Sequence, residues 1–276
     1  MEGKITKIIS NLYTVTVDNK SYDCRARGKI RYEKITPLVG DRVIFDEKEK
    51  YILKILDRKN SLDRPMISNV DSALLITSVK KPDLSLNLLD KELVLTISNN
   101  IEPIIVFTKL DLLNLEELKE INSIINYYES IGYVTVKNTE IDKIKSILKN
   151  NLSVFVGQSG AGKSSLLNKL DSKLELKTNE ISKALGRGKH TTRHVELFEV
   201  CEGLVVDTPG FSSLDLSSLS NMDIRDNMKE MFDNLDKCKY RDCMHYKEDG
   251  CYVKSLVDDN VILKSRYDNY ISFLRK

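Results

Sequence analysis

Nothing in this chain is long and apolar enough to cross a membrane. A spanning helix needs about 20 consecutive apolar residues, and charged side chains interrupt every apolar stretch well short of that. Met1 to Ile9 also lack the apolar core of an export signal, so a cytoplasmic protein is expected. With 12 glycines and five prolines in 276 residues, there is neither a low-complexity tract nor an internal repeat. Cysteine is sparse: three of the five crowd between positions 238 and 251, while Cys24 and Cys201 stand alone. In a reducing compartment such clustering favours a metal over disulfides. Nor is one sign of charge in excess, with 43 Lys/Arg against 41 Asp/Glu and a net charge of +2. The balance is uneven, however. Residues 1–65 hold 15 Lys/Arg and 10 Asp/Glu, a net +5 that leaves the remainder at −3. A basic head of that size serves a polyanionic partner or a plain soluble surface equally well.

What is present is a change of pattern near residue 66, and the length allows two or three domains. Before it, Ile5–Ile9, Tyr13–Val17, Tyr22–Arg25, Val43–Phe45 and Tyr51–Leu56 read as short strands. Asp18-Asn19-Lys20 makes a hairpin turn and Pro37 to Asp41 a loop. So many strands in so few residues predict a small barrel of the oligonucleotide-binding (OB) type. Arg25, Arg27, Lys29 and Arg31 beside Tyr32 set several cations together, for RNA or for solvent. Beyond Arg64-Pro65, apolar strands alternate with helices, among them Val70–Val79, Leu88–Ser98, Ile104–Thr108, Leu115–Ile131 and Leu152–Val156. That alternation predicts an α/β domain with a mostly parallel sheet and helices on both faces. Met228, Met231, Phe232 and Leu235, then Tyr267, Tyr270, Ile271 and Leu274, recur at helical spacing and are expected to pack a core. The expected division is a barrel over 1–66, an α/β domain over 67–218 and a helical domain over 219–276.

Three motifs sit at the ends of apolar strands, where ligands of such sheets bind. Gly157-Gln158-Ser159-Gly160-Ala161-Gly162-Lys163-Ser164, with Ser165 after it, lies between a strand and a helix and fits a phosphate loop. Its glycines let successive amides face phosphate oxygens. Lys163 neutralises terminal phosphates, and the Ser164 hydroxyl suits magnesium. Asp207-Thr208-Pro209-Gly210 closes another strand; Asp207 suits support of magnesium, and the Gly210 amide a terminal phosphate. Thr108-Lys109-Leu110-Asp111 closes a third. Asp111 accepts two hydrogen bonds from the N1 and N2 donors of guanine, which adenine cannot supply. The stem of Lys109 covers the base, Thr108 stands where Asn is usual, and a further base-side loop is expected near Lys137 and Asn138. Between phosphate loop and Asp207 comes Gly186-Arg187-Gly188-Lys189-His190-Thr191-Thr192, whose threonine, either 191 or 192, is expected to close over magnesium. Phe211 replaces the glutamine that often orients water, so intrinsic turnover is expected to be slow. His190 is the candidate to replace that glutamine, or is a surface histidine. Finally, Cys238, Cys243, His245 and Cys251 offer three thiolates and an imidazole in 14 positions, enough for a closed structural zinc site.

The guanine motif precedes the phosphate loop, the reverse of the ordinary order, which reads as a circularly permuted GTP-binding domain. This order, the basic N-terminal barrel, the loop at 186–192, Asn69-Val70-Asp71 and the Cys/His spacing together resemble the RsgA family of bacterial GTPases. The resemblance spans essentially the whole chain. It implies an OB fold, a permuted G domain and a zinc domain. It further implies GTP hydrolysis to GDP stimulated by the small ribosomal subunit, late maturation of that particle, and binding to its rRNA. Nothing suggests an obligate dimer, so a monomer is expected. Two other readings compete: an RNA-binding assembly factor whose nucleotide site only regulates docking, which Phe211 keeps open, and a P-loop kinase, which Asp111 and the lack of an evident acceptor site disfavour.

Overall fold

A computed structural model of the chain describes residues 1–18, 20–28, 35–63, 66–171, 197–207 and 215–275. It opens with a closed five-stranded barrel of β1 (Glu2–Ile9), β2 (Leu12–Val17), β3 (Lys20–Ala26), β4 (Arg42–Asp46) and β5 (Tyr51–Ile55), in the order β1-β2-β3-β5-β4. Pairing of β4 back onto β1 closes the cylinder. Period-two patterning turns Ile5, Tyr13, Val15, Cys24, Val43, Phe45 and Ile52 into its core. Each of the five expected strands is present, and Arg25 and Arg27 are exposed on β3 and just past it. Lys29, Arg31 and Tyr32 lie outside the described residues.

A short hairpin, β6 (Ser61–Asp63) with β7 (Met66–Ser68), leads into a six-stranded sheet. Its strands are β8 (Ser72–Ser78), β9 (Glu102–Thr108), β10 (Val134–Lys137), β11 (Leu152–Val156), β12 (Phe198–Val200) and β13 (Gly203–Asp207), in the order β10-β9-β8-β11-β13-β12. Only the β12–β13 edge is antiparallel. Helices α1 (Leu86–Ser98), α2 (Leu115–Ser130), α3 (Ile141–Leu148) and α4 (Lys163–Leu170) alternate with the strands. Every residue of β8 is buried. Leu75 joins the core with Leu89, Leu93, Ile121 and Ile125, whereas its neighbour Leu74 joins the one with Ile144, Leu148 and Leu166. Such a strand, covered on both faces, reads as a continuous apolar run. Asn69-Val70-Asp71 ties the barrel to this sheet: Asn69 Nδ2 donates to the Gly40 carbonyl at 3.0 Å, and Asp71 Oδ2 accepts from the Leu152 amide at 2.7 Å.

The last part is helical: α5 (Asn221–Asp226), α6 (Lys229–Phe232), α7 (Tyr252–Asp258) and α8 (Lys264–Leu274). Ile224, Met228, Met231, Val253, Tyr270 and Phe273 form its core with Val94 of α1. One expectation needs correction. Phe232 is 52% exposed, because α6 stops there after four residues and the stripe through Leu235 never shares one helical phase. On α8 Tyr270 joins the core and Tyr267, Ile271 and Leu274 pack half-buried against it, as expected, while Arg266 and Phe273 are deeply buried as well. No helix among the described residues is long and apolar enough to cross a membrane.

Candidate nucleotide site and metal centre

Because β8, β9, β10, β11 and β13 run parallel, their carboxyl ends share one edge of the sheet. The chain steps outward from β8 to β9 and β10, then returns to start again at β11 on the other side. That reversal leaves a crevice between the ends of β8 and β11, the place where open α/β sheets bind ligands.

The phosphate-loop sequence fills this crevice. Gly157 follows β11 with φ +144°, and a Cβ there would meet the Ile76 carbonyl oxygen at 2.4 Å. Only glycine lets β11 turn so close beside β8. Gly162, at φ +105°, then opens α4. Ala161 is buried beneath the loop, whereas Gln158, Ser159 and Gly160 are exposed. Exposed amides leading into a helix N-terminus make a cradle for anions. Lys163 Nζ donates to the Gly157 carbonyl and, at 2.8 Å, to that of Gln158, folding its ammonium over the loop. Ser164 is half-buried in the first turn of α4, and Ser165 beside it is exposed.

Thr108 ends β9, buried, and its Oγ1 donates to the Ala161 carbonyl at 2.6 Å. This bond joins the base-side motif directly to the phosphate loop. Lys109 then takes φ +64°, a single left-handed residue that starts the 3₁₀ turn Leu110–Leu112 and leaves Asp111 exposed. The Lys109 Nζ reaches the Lys81 carbonyl. Asn138 follows β10 beside this motif, its amide donating to the Phe107 carbonyl at 2.9 Å. Asp207 ends β13, which pairs with β11 in register Phe155↔Asp207. The structure therefore brings four motif-bearing strand ends to one edge. His190, Thr191, Thr192, Gly210 and Phe211 lie outside the described residues, as does the side chain of Asp207.

A second constellation lies in the helical part. The ligand atoms of Cys238, Cys243, His245 and Cys251 all fall within 4.8 Å of one another. Cys238 and Cys251 sulfurs are 3.9 Å apart, and His245 Nδ1 is 3.5 and 3.3 Å from them. A tetrahedron of zinc–sulfur bonds spaces its sulfurs by about 3.8 Å, so the donor set fits that ion. The other ring nitrogen, Nε2, is 3.0 Å from the Met231 carbonyl, which only accepts, so Nε2 carries the proton and Nδ1 presents its lone pair inward. Burial pushes the Cys243 thiol up to about 12. A thiol so reluctant to ionise by itself becomes a thiolate ligand only under the pull of a cation.

The structure also brings together residues that motif reading passed over. Arg266 of α8 is fully buried between Asp90 of α1 and Glu230 of α6. Its Nη1 donates to Asp90 at 2.5 Å, and its Nε and Nη2 donate to Glu230 at 2.8 and 3.1 Å. Tyr128 donates to Asp90 and Tyr127 to Glu230, each at 2.6 Å. Burial works against the Glu230 charge, but Arg266 and Tyr127 outweigh it and hold the carboxyl below its ordinary range. Asp90 and Glu92, set among the leucines and valine of α1, were the available signal.

Known proteins match this arrangement along its length. The model of the RsgA GTPase family matches residues 55–217, and that of the RsgA N-terminal domain residues 2–52. The chain belongs to the RsgA GTPase family. It is 44% identical to the small ribosomal subunit biogenesis GTPase RsgA of Enterococcus faecalis, over 99% of this chain and 94% of that protein. It is 47% identical to RsgA 2 of Oceanobacillus iheyensis, over 100% of this chain and 97% of that protein. Among solved structures, YloQ, a circularly permuted GTPase, superposes with a TM-score of 0.85 at 38% identity, covering 99% and 93% of the two chains. YjeQ from Thermotoga maritima gives 0.87 at 34% identity, covering 99% and 97%. The chain is thus a circularly permuted GTPase with an N-terminal closed barrel.

Proposed function

We propose that this GTPase acts in late maturation of the small ribosomal subunit, hydrolysing GTP to GDP and phosphate under stimulation by that particle. Support comes from relatives that carry small-subunit biogenesis in their names across nearly the whole chain. The observation that carries the chemistry is the bond from Thr108 to Ala161, which puts base-side and phosphate-side motifs within one nucleotide's length. In this reading Gly157 to Ser165 hold the phosphates, Lys163 supplies counter-charge, and Thr108, Lys109, Leu110 and Asp111 hold guanine. Ser164, Asp207 and either Thr191 or Thr192 hold magnesium, which screens phosphate charge. The Gly210 amide meets the terminal phosphate, and His190 orients water in the absence of a glutamine at Phe211. Cys238, Cys243, His245 and Cys251 hold one structural zinc. We assign residues 1–66 to rRNA contact, 67–218 to the G domain and 219–276 to the zinc domain, in a cytoplasmic monomer. Single-turnover GTP hydrolysis with and without purified small subunits tests the reading. At least tenfold stimulation is expected; none would favour a factor whose nucleotide only regulates docking.

A further inference from the structure

One ionisable side chain is buried beside the phosphate loop without a part in the chemistry above. Glu92 lies in the middle of α1, 5% exposed, next to the fully buried Leu93 and Val94. With Ile76, Ser78, Ser85, Gly157 and Gln158 it lines a cavity of about 20 Å³, room for about one water. The cavity sits at the reversal of strand order, behind the first residues of the loop.

Few charges face it. Among the described residues, Lys163 at the start of α4 is the charged group acting on the Glu92 carboxyl. Asp83, exposed in the segment before α1, lines the same cavity. At this edge β8 and β9 bring Thr77, Ser78 and Thr108, none of them ionisable in the working range. On α1 itself Asp90 is engaged by Arg266 of α8, which also holds Glu230 of α6, and Lys91 lies over the Phe273 ring. Burial pushes the Glu92 carboxyl up to about 7, against the pull of Lys163. The same Lys163 ammonium donates to two loop carbonyls.

We propose that Glu92 is a positioning residue of the nucleotide site: a carboxylate behind the phosphate loop that competes with nucleotide phosphates for Lys163 and takes up a proton when they bind. The proposal rests on the reading of Gly157–Ser164 as that site. Phosphates bring negative charge close to Glu92 and draw Lys163 towards themselves, and both changes disfavour the carboxylate. By linkage, proton uptake and nucleotide binding then assist each other. Below the carboxyl's own titration Glu92 is neutral and binding is tightest. Above it, each bound nucleotide must draw a proton from solution, so Kd rises with pH. A triphosphate, carrying more charge than a diphosphate, feels the effect more strongly.

The test is equilibrium binding of fluorescent GDP and a non-hydrolysable GTP analogue to the full chain between pH 7.0 and 8.5 at fixed magnesium. For the wild type Kd is expected to rise at least threefold across that range, bounded by about tenfold per pH unit for one proton. E92Q is expected to bind at pH 8.5 about as tightly as the wild type does at pH 7.0, with no slope. Equal slopes in wild type and E92Q would overturn the proposal, as would weaker binding by E92Q throughout. Calorimetry of the wild type at pH 7.5, in two buffers of different ionisation enthalpy, needs no variant. Uptake of a substantial fraction of a proton is expected there, and zero uptake would overturn the idea. Failure of the wild type to bind either nucleotide at any pH would instead sink the underlying site reading.

Discussion

Thr108 is the position where this chain departs from the usual base-side motif, and its hydroxyl donates to the Ala161 carbonyl across the floor of the site. Valine matches threonine in shape but cannot donate, so Thr108→Val leaves a buried carbonyl unsatisfied at a cost of about 1–3 kcal/mol. The expected outcome is a guanosine nucleotide affinity lowered about tenfold, with the barrel and zinc region unchanged, read by equilibrium titration and circular dichroism. Unchanged affinity would mean that the bond does not position the loop. The bond itself was not legible in the sequence. Thr108 and Ala161 are 53 positions apart, and only parallel pairing of β8 with both β9 and β11 makes them neighbours.

At the scale of elements, α1 joins the sheet to the helical part. One part of its surface presents Glu92 to the phosphate-loop cavity, and another presents Asp90 to Arg266 of α8. Replacing Arg266 by Met strands Asp90 and Glu230 in a dry interface, where an unpaired buried charge costs about 3–5 kcal/mol. Arg266→Met is therefore expected to lose that much stability in urea unfolding. The pH dependence follows from Glu230, whose carboxyl titrates lower in the folded protein than in the unfolded chain. Its contribution is present above the unfolded value of about 4.3 and is lost as pH falls through the folded one. Burial pushes the Asp90 carboxyl the other way, so the check is a difference: relative to the wild type, Glu230→Gln should lack the part of the acid decline that Glu230 contributes. The periodicities of α1 and α8 were readable, but periodicity assigns charged residues to the solvent face. A charge cluster spread over Asp90, Glu230 and Arg266 shows itself only once three helices meet.

Considered whole, the molecule is two β-based units and a helical one whose cohesion differs in kind. The barrel and the sheet are held by apolar cores, and the helical part additionally by its Cys/His cluster. Removing zinc with a strong chelator is therefore expected to loosen residues 235–255, since metal-binding energy is folding energy in small sites. Hydrogen exchange should accelerate there, including the loop braced by the Tyr267 and Tyr270 hydroxyls, while β1–β5 and β8–β11 stay protected. Equal exchange with and without metal would exclude a zinc role in the fold.

The local order of residues determined the elements, the permuted succession of motifs and a Cys/His set that fits a zinc ion. Each depends on short-range rules: period two in the barrel strands, Gly157 and Gly162 where the backbone must turn, and cysteines close enough to share an ion. Tertiary structure decided what lies between motifs: the Thr108–Ala161 bond, the burial of Glu92 beside the phosphate loop, and the ion cluster around Arg266. Those arise from the energy of burying charge, which depends on what closes over a side chain and so on parts of the chain far away in sequence.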